Sequence, residues 1–114
     1  MNREFSTDAQ NSFALASDGP SIASERDATE VIGDALGAGA ELVVIPVSRL
    51  SPEFFRLSSG LAGSILQKFT NYRLRVAIIG DISGYTAKSG PLRDFVRESN
   101  ARGGVRFLAS EADL

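Results

Sequence analysis

The apolar residues of the chain recur with two different periods, one typical of strands and the other of helices. Ser12–Ser17 alternates apolar with polar residues and predicts a strand, and Arg3–Thr7 predicts a weaker strand before it, with turn-forming residues between the two. Ser24 is a good N-cap, and apolar residues at helical spacing then predict a helix that runs to about Ala38, where glycines end it. The chain therefore opens with a predicted hairpin and a helix.

Two continuous apolar runs further along the chain predict buried strands. They are Glu41–Ile45 and Leu74–Gly80, and each follows a helical segment, as parallel strands covered on both faces do. Between them, Ser51-Pro52-Glu53 has the N-cap, the early proline and the acid that open a helix. Ser58-Ser59-Gly60 either interrupts this helix, so that its main part runs from Ser59 to Asn71, or leaves it continuous. The sequence leaves both alternatives open.

The last part of the chain adds one more helix and one more strand. After the loop Asp81–Gly90, the pattern predicts a helix over Pro91–Ala101, a strand over Val105–Leu108 and a final turn with a capping box over Ser110–Asp113. The predicted order is β-β-α-β-α-β-α-β in a single domain, residues 1–114. Such alternation is typical of an α/β fold with a mixed, mostly parallel sheet and helices on its faces, in which the opening hairpin adds an antiparallel neighbour.

Composition excludes several classes of function. The 114 residues include no cysteine and no histidine, so disulfides, thiolate chemistry, triad hydrolysis and most transition-metal sites are not expected. The net charge is −2 without a basic face, which argues against nucleic acid as a partner. Neither a membrane span nor a signal peptide is recognisable, so we expect a cytoplasmic protein that does not bind membranes. No cofactor or metal motif is present.

Three loops should meet where the parallel strands end, which is the usual ligand site of such sheets. They are Ser17–Ser24, Pro46–Ser51 and Asp81–Gly90. The candidate ligand-binding residues in these loops are Asp81, Tyr85, Lys88, Ser89, Asp18 and Arg49. The third loop could hold a phosphate with its small residues and lysine, although it has neither the Walker nor the dinucleotide spacing. It could equally be a plain strand-to-helix connection capped by Ser89, with Asp81 accepting hydrogen bonds from loop amides.

A second candidate surface lies on the middle helical segment. Gln67, Lys68 and Asn71 point away from the predicted apolar stripe, towards either water or a protein partner. Phe54 and Phe55 are adjacent and point about 100° apart on a helix, so one of them is expected to be partly exposed. We therefore include Phe54 in a candidate interaction face, with core packing as the alternative.

Several runs of residues together resemble a known family. They are Phe54-Phe55, Gly60-Leu61-Ala62-Gly63, Gln67-Lys68-Phe69, Asn71-Tyr72-Arg73, Gly80-Asp81, Leu92-Arg93-Asp94-Phe95 and Glu98-Ser99-Asn100. The chain resembles, from about Asn11 to Leu114, an uncharacterised bacterial family known as domain of unknown function 4180. That family has no assigned activity, so the resemblance implies membership and no catalytic residue.

A shorter run is similar to the STAS domains of anti-sigma factor antagonists. Leu57-Ser58-Ser59-Gly60-Leu61-Ala62 resembles their Asp-Ser-Ser-Gly-Leu-Gly turn, with Leu57 in place of the aspartate. The similarity implies a STAS-like fold in which Ser58 or Ser59 is phosphorylated near a helix N-terminus, where the helix dipole stabilises negative charge.

Two functions are compatible with these patterns. The first is a non-catalytic, STAS-like regulatory or interaction module that acts through a protein partner or as a homo-oligomer. The alternative is a small-molecule or phosphate-ligand-binding protein, or a small enzyme, that uses the strand-end loops around Asp81.

Overall fold

Four parallel strands form the centre of the protein, whose computed structural model describes residues 11–114. In sequence they are β1 (Ser12–Ala14), β2 (Leu42–Pro46), β3 (Arg75–Ile79) and β4 (Val105–Leu108), and the sheet has the order β1-β2-β3-β4. β2 and β3 pair in parallel over five residues, which confirms that the two apolar runs lie side by side in one direction. The predicted strand Arg3–Thr7 lies outside the described residues.

In the part of the chain that the structure describes, four helices follow the strands, one more than predicted, because the predicted loop Asp81–Gly90 contains a helical turn. They are α1 (Glu25–Gly37), α2 (Leu61–Asn71), the single turn α3 (Ser83–Thr86) and α4 (Gly90–Arg102). The hydroxyls of Ser24 and Ser89 accept hydrogen bonds from the first turns of α1 and α4, as their N-cap positions predict. Within residues 11–114, none of the helices combines the length and the apolar character that crossing a membrane requires. The α/β fold class is confirmed.

The segment between β2 and α2 consists of short 3-10 helices rather than one long helix. These are Val47–Arg49, Pro52–Phe55 and Leu57–Ser59. Gly60 then has a φ of 78°, in the left-handed region, and this reverses the chain before α2 begins. Ser58-Ser59-Gly60 therefore interrupts the helical segment, which settles the alternative that the sequence left open.

The strand order places the helices on one face of the sheet. Each right-handed crossover moves one strand further in the same direction, so successive helices stack on the same side. Alternate strand residues, among them Val43, Ile45 and Val76, join the buried faces of the helices in the main core. Leu42 and Val44 point to the opposite face of the sheet, where they form a separate small cluster with Ala77 and Ile79 of β3. The strands are thus buried on both faces, while the helical layer lies on one.

Phe54 and Phe55 both belong to the main core. Their exposed fractions are 1% and 4%, so the prediction that one of them is partly exposed, with Phe54 in an interaction face, is wrong. The prediction assumed an α-helix, whereas Pro52–Phe55 is a 3-10 helix that lies across the end of α2. The two rings meet edge to face with centroids 5.1 Å apart, and both turn inward.

The free edge of β4 is occupied by a side chain of α4. The Asn100 amide oxygen accepts a hydrogen bond from the Phe107 backbone N–H at 2.7 Å, and the Asn100 amide nitrogen donates to the Phe107 carbonyl at 3.3 Å. Asn100 thereby makes the two backbone hydrogen bonds that a neighbouring strand would otherwise make with Phe107. It fixes α4 against the sheet and removes a donor and acceptor pair from an edge that could otherwise pair with another chain.

Replacing this amide should destabilise the protein. We expect Asn100→Ala to lower the free energy of unfolding by about 1–2 kcal/mol, because two hydrogen bonds to partly buried backbone groups are lost. Asn71→Ala is the matched control, since Asn71 bonds only the exposed Gln67 side chain in the described structure, and a change below about 0.5 kcal/mol is expected. Urea unfolding followed by circular dichroism measures both. Equal effects of the two substitutions would contradict the role given to Asn100.

Candidate functional site

The first two strand-end loops are closed against each other. Ile22 and Leu50 form a parallel bridge, and the Arg49 guanidinium donates hydrogen bonds to the carbonyls of Ala16 at 2.9 Å and Pro20 at 2.8 Å. Arg49 thus ties the loop after β1 to the loop after β2. The structure assigns this candidate ligand-binding residue an internal, loop-fixing contact.

The third strand-end loop, Asp81–Gly90, borders an open cleft. The cleft lies at the same edge of the sheet as the first two loops, beyond the ends of β3 and β4. The cleft has a volume of about 720 Å³, within the usual range for small-molecule sites, and it lies between the ends of β3 and β4, α3 and α4. Most of its surface is apolar. Its lining residues are Gly80, Asp81, Ile82, Ser83, Thr86, Arg93, Val96, Arg97, Asn100, Phe107, Leu108 and Ala109. The predicted location at the carboxyl end of the sheet therefore holds a cleft, and Asp81 lines it.

Gly80 shapes the entrance to the cleft at the end of β3. Its φ is 140°, and a Cβ at this position would lie 2.9 Å from Cγ2 of Val47. The backbone conformation and the close approach both require glycine here. The chain can therefore leave β3 directly beside the loop after β2 and direct Asp81 into the cleft.

Asp81 is held by the loop that follows it. Its Oδ1 accepts a hydrogen bond from the Ser83 backbone N–H at 2.9 Å. Hydrogen bonds from the backbone and side chain of Ser83 lower the pKa of Asp81 below its ordinary value of 3.8. The carboxylate is exposed and ionised at neutral pH. This is the loop-amide contact that the sequence offered as the alternative to a ligand-binding role, although Asp81 also lines the cleft.

Tyr85 packs behind the wall of the cleft that α3 forms, and it does not line the cleft itself. Its ring stacks on Phe55 with centroids 4.3 Å apart and an angle of 11° between the planes. Because Ser83 and Thr86 on the same single turn line the cleft, this stack fixes their wall to the helical layer. Tyr85 therefore packs behind this wall, and it is not among the residues that line the cleft.

Two arginines of α4 line the cleft and were not among the predicted site residues. Arg93 donates from Nη1 to the Thr86 carbonyl at 2.7 Å, and Arg97 donates from Nη2 to Asp94 at 2.8 Å. Arg93 and Arg97 are four residues apart, so their side chains project from the same side of the helix on successive turns. This spacing was visible in the sequence, but which side of α4 faces the strand ends was not.

The other predicted ligand-binding residues lie outside the cleft. Ser89 is the N-cap of α4 and accepts a hydrogen bond from the Leu92 N–H at 3.2 Å. Lys88 and Asp18 are exposed and do not line the cleft. Of the predicted set, the structure therefore brings Asp81 alone to this cavity.

The residues predicted for phosphorylation and partner contact lie on the helical side of the molecule. Ser58 is exposed, whereas the Ser59 hydroxyl donates to the Glu53 carbonyl at 2.8 Å and accepts from the Leu61 N–H at 3.2 Å. Gln67 and Asn71 bond each other on the surface of α2. In addition, Lys68 forms an ion pair of 3.7 Å with Glu25 of α1. The side chains of Ser59, Gln67, Lys68 and Asn71 are thus engaged within the chain.

A second, smaller depression lies at the same edge of the sheet. It has a volume of about 450 Å³, and Leu15, Val44 and Ile79 form part of its wall. Its charged lining residue is Glu111. The larger cleft, with its carboxylate and two guanidinium groups, offers more contacts that could select a ligand.

The chain belongs to the family described as Domain of unknown function (DUF4180), which it matches over residues 7–114. The family resemblance drawn from the sequence is thus confirmed, and the similarity to STAS domains is not part of this match. No curated protein and no solved structure has significant similarity to the chain. Among the described residues, no group of three or more carboxylates is arranged to hold a metal ion.

Gly80→Ala should be strongly destabilising because the new Cβ meets Val47 and the backbone conformation is unfavourable for a residue with a side chain. We expect a loss of about 1–3 kcal/mol in the free energy of unfolding. Gly33→Ala, in the middle of α1 where the Cβ would meet nothing within 4 Å, should instead stabilise the protein by about 0.5–1 kcal/mol. Chemical unfolding of both variants measures whether each substitution raises or lowers the free energy of unfolding. A stabilising effect of Gly80→Ala would contradict the geometry.

The carboxylate of Asp81 should titrate below its ordinary value. NMR titration of its side-chain carbon is expected to give a midpoint under 3.8, and Ser83→Ala should raise that midpoint because one donor is lost. Since the pKa is lowered by folding, ionised Asp81 stabilises the fold above the unfolded-state pKa of about 3.9. This contribution disappears as the pH falls through the folded-state pKa. A midpoint at or above the ordinary value would refute the hydrogen-bonded arrangement.

Proposed function

We propose that this member of the family is a small-molecule-binding protein whose ligand occupies the cleft between α4 and the ends of β3 and β4. The observation that carries the proposal is the cleft itself, which is open, mostly apolar and lined by a few charged and polar side chains from three elements. Binding sites for small molecules have this composition, in which apolar walls provide affinity and a few polar groups select the ligand.

Binding accounts for these residues better than catalysis does. Asp81 is the one carboxylate among the lining residues, and the sequence contains no histidine. A general base that works at neutral pH needs a pKa near 7, whereas hydrogen bonds lower that of Asp81. Proton transfer in this cleft therefore has no suitable group, and recognition is the chemistry that the lining residues support.

A regulatory interaction module of the STAS type ranks second. In its favour, Ser58 and Ser59 lie in the turn directly before α2. However, phosphorylation of Ser59 would remove the proton that its hydroxyl donates to the Glu53 carbonyl, a contact that holds the turn before α2. The cleft, in contrast, is already formed.

Filling the cleft should abolish ligand binding. In a screen of neutral, cationic and anionic aromatic fragments by NMR, we expect bound fragments to shift the amide signals of Gly80, Ile82 and Val96. Ala109→Trp should suppress these shifts because its indole would occupy cleft space, whereas Ala87→Trp, outside the lining, should retain them. The proposal fails if no fragment shifts these signals, or if the shifts are the same in Ala109→Trp.

A further inference from the structure

We infer that the ligand of this cleft is a small organic anion, with a carboxylate or phosphate head held by Arg93 and Arg97 and an apolar body placed against the inner wall. The inference rests on the proposed function and names the chemical class of its ligand. It depends on the two guanidinium groups on successive turns of α4 and on the apolar residues beside them.

The two guanidinium groups have donors left for a ligand. A guanidinium has five N–H donors, and in the described structure one hydrogen bond is seen for each: Arg93 to Thr86 and Arg97 to Asp94. The Arg93 bond also restrains its side chain, since Thr86 belongs to α3, whereas the Arg97 pair with Asp94 is exposed on the surface of α4 and weak. Restrained arginines lose less entropy when they bind, and their planar groups match the oxygens of carboxylates and phosphates.

The apolar body has a defined place next to the arginines. Val96 lies between Arg93 and Arg97 in the sequence of α4 and lines the cleft, as does Phe107 of β4 behind it. Phe107 is 8% exposed and is held in place by Asn100 and by an edge-to-face contact with Phe95. An anionic head alone would leave this wall in contact with water, so a ligand with both parts binds best.

Asp81 limits the charge that the cleft accepts. The lining contains two guanidinium groups and one carboxylate, and Asp94, the ion-pair partner of Arg97, adds a second negative charge beside them. A ligand with one negative charge is therefore favoured over one with several. Asp81→Asn should strengthen anion binding, because it removes a negative charge that repels the ligand. The asparagine side chain can still accept the hydrogen bond from Ser83.

The test uses four aromatic probes of similar size, together with inorganic phosphate, which is a head group without an apolar body. Phenylacetate and phenyl phosphate carry the two anionic heads, phenylacetamide is the neutral analogue, phenethylammonium is the cation, and inorganic phosphate lacks the apolar body. NMR titration of the full chain follows the amides of Gly80, Ile82 and Val96. We expect at least one aromatic anion to bind about tenfold more tightly than phenylacetamide, and the cation and inorganic phosphate to bind more weakly still. Because one negative charge is favoured, phenylacetate should bind more tightly than phenyl phosphate, which carries about 1.5 to 2 negative charges at pH 7, and the reverse order would overturn the preference for a single charge.

Substitutions of single residues then test which side chains contact the aromatic anion. Arg93→Gln and Arg97→Gln should each weaken the aromatic anion about tenfold. Arg26→Gln makes the same charge change on the exposed side of α1 and should leave affinity unchanged. Asp81→Asn should tighten binding, and weaker binding would overturn the charge assignment. If phenylacetamide binds the same amides as tightly as the anions do, the anion inference fails while the cleft remains a binding site. If none of the probes shifts these amides, both proposals fail.

Discussion

The parallel pairing of β2 with β3 is the interaction on which the rest of the structure depends. Five consecutive residues of each strand are in register, and alternate members such as Val43 and Val76 form the centre of the main core. Because both strands run in one direction, both end at the same edge, and the loops that follow must share it. The position of the cleft is a consequence of this pairing.

The elements that were predicted well are those with local causes. α1 lies where the Ser24 cap and the terminal glycines place it, and the final turn has the predicted capping box between Ser110 and Asp113. The segment from Ser51 to Gly60 was ambiguous because its N-cap and early proline suit a 3-10 turn as well as an α-helix. There, the outcome depends on how the two phenylalanines pack against α2, which is a contact of the tertiary structure.

The cleft lies at the edge of the sheet where the sequence analysis expected a site, but few of its lining residues were among the predicted ones. The sequence gives no strand order, so it could not show that α4 would present Arg93 and Arg97 to that edge. Arg49 and Tyr85 were chosen because they are polar members of strand-end loops. Their partners, two carbonyls and the ring of Phe55, come from distant parts of the chain and leave no local pattern. Selection by residue type therefore overestimates how many loop side chains remain available to a ligand.

The strand order also has a consequence for how the chain is made. Spatial neighbours in the sheet are successive strands in the sequence, so each of the three described strands after β1 emerges from the ribosome when a neighbouring strand has already been synthesised. Each pairing nevertheless joins strands that are separated in sequence by a whole crossover, and parallel pairings of this kind form slowly because a long loop must close first. β4 and α4 are synthesised last of these elements, and together they complete one wall of the cleft. The cleft is therefore complete only at the end of assembly, after the interior is in place.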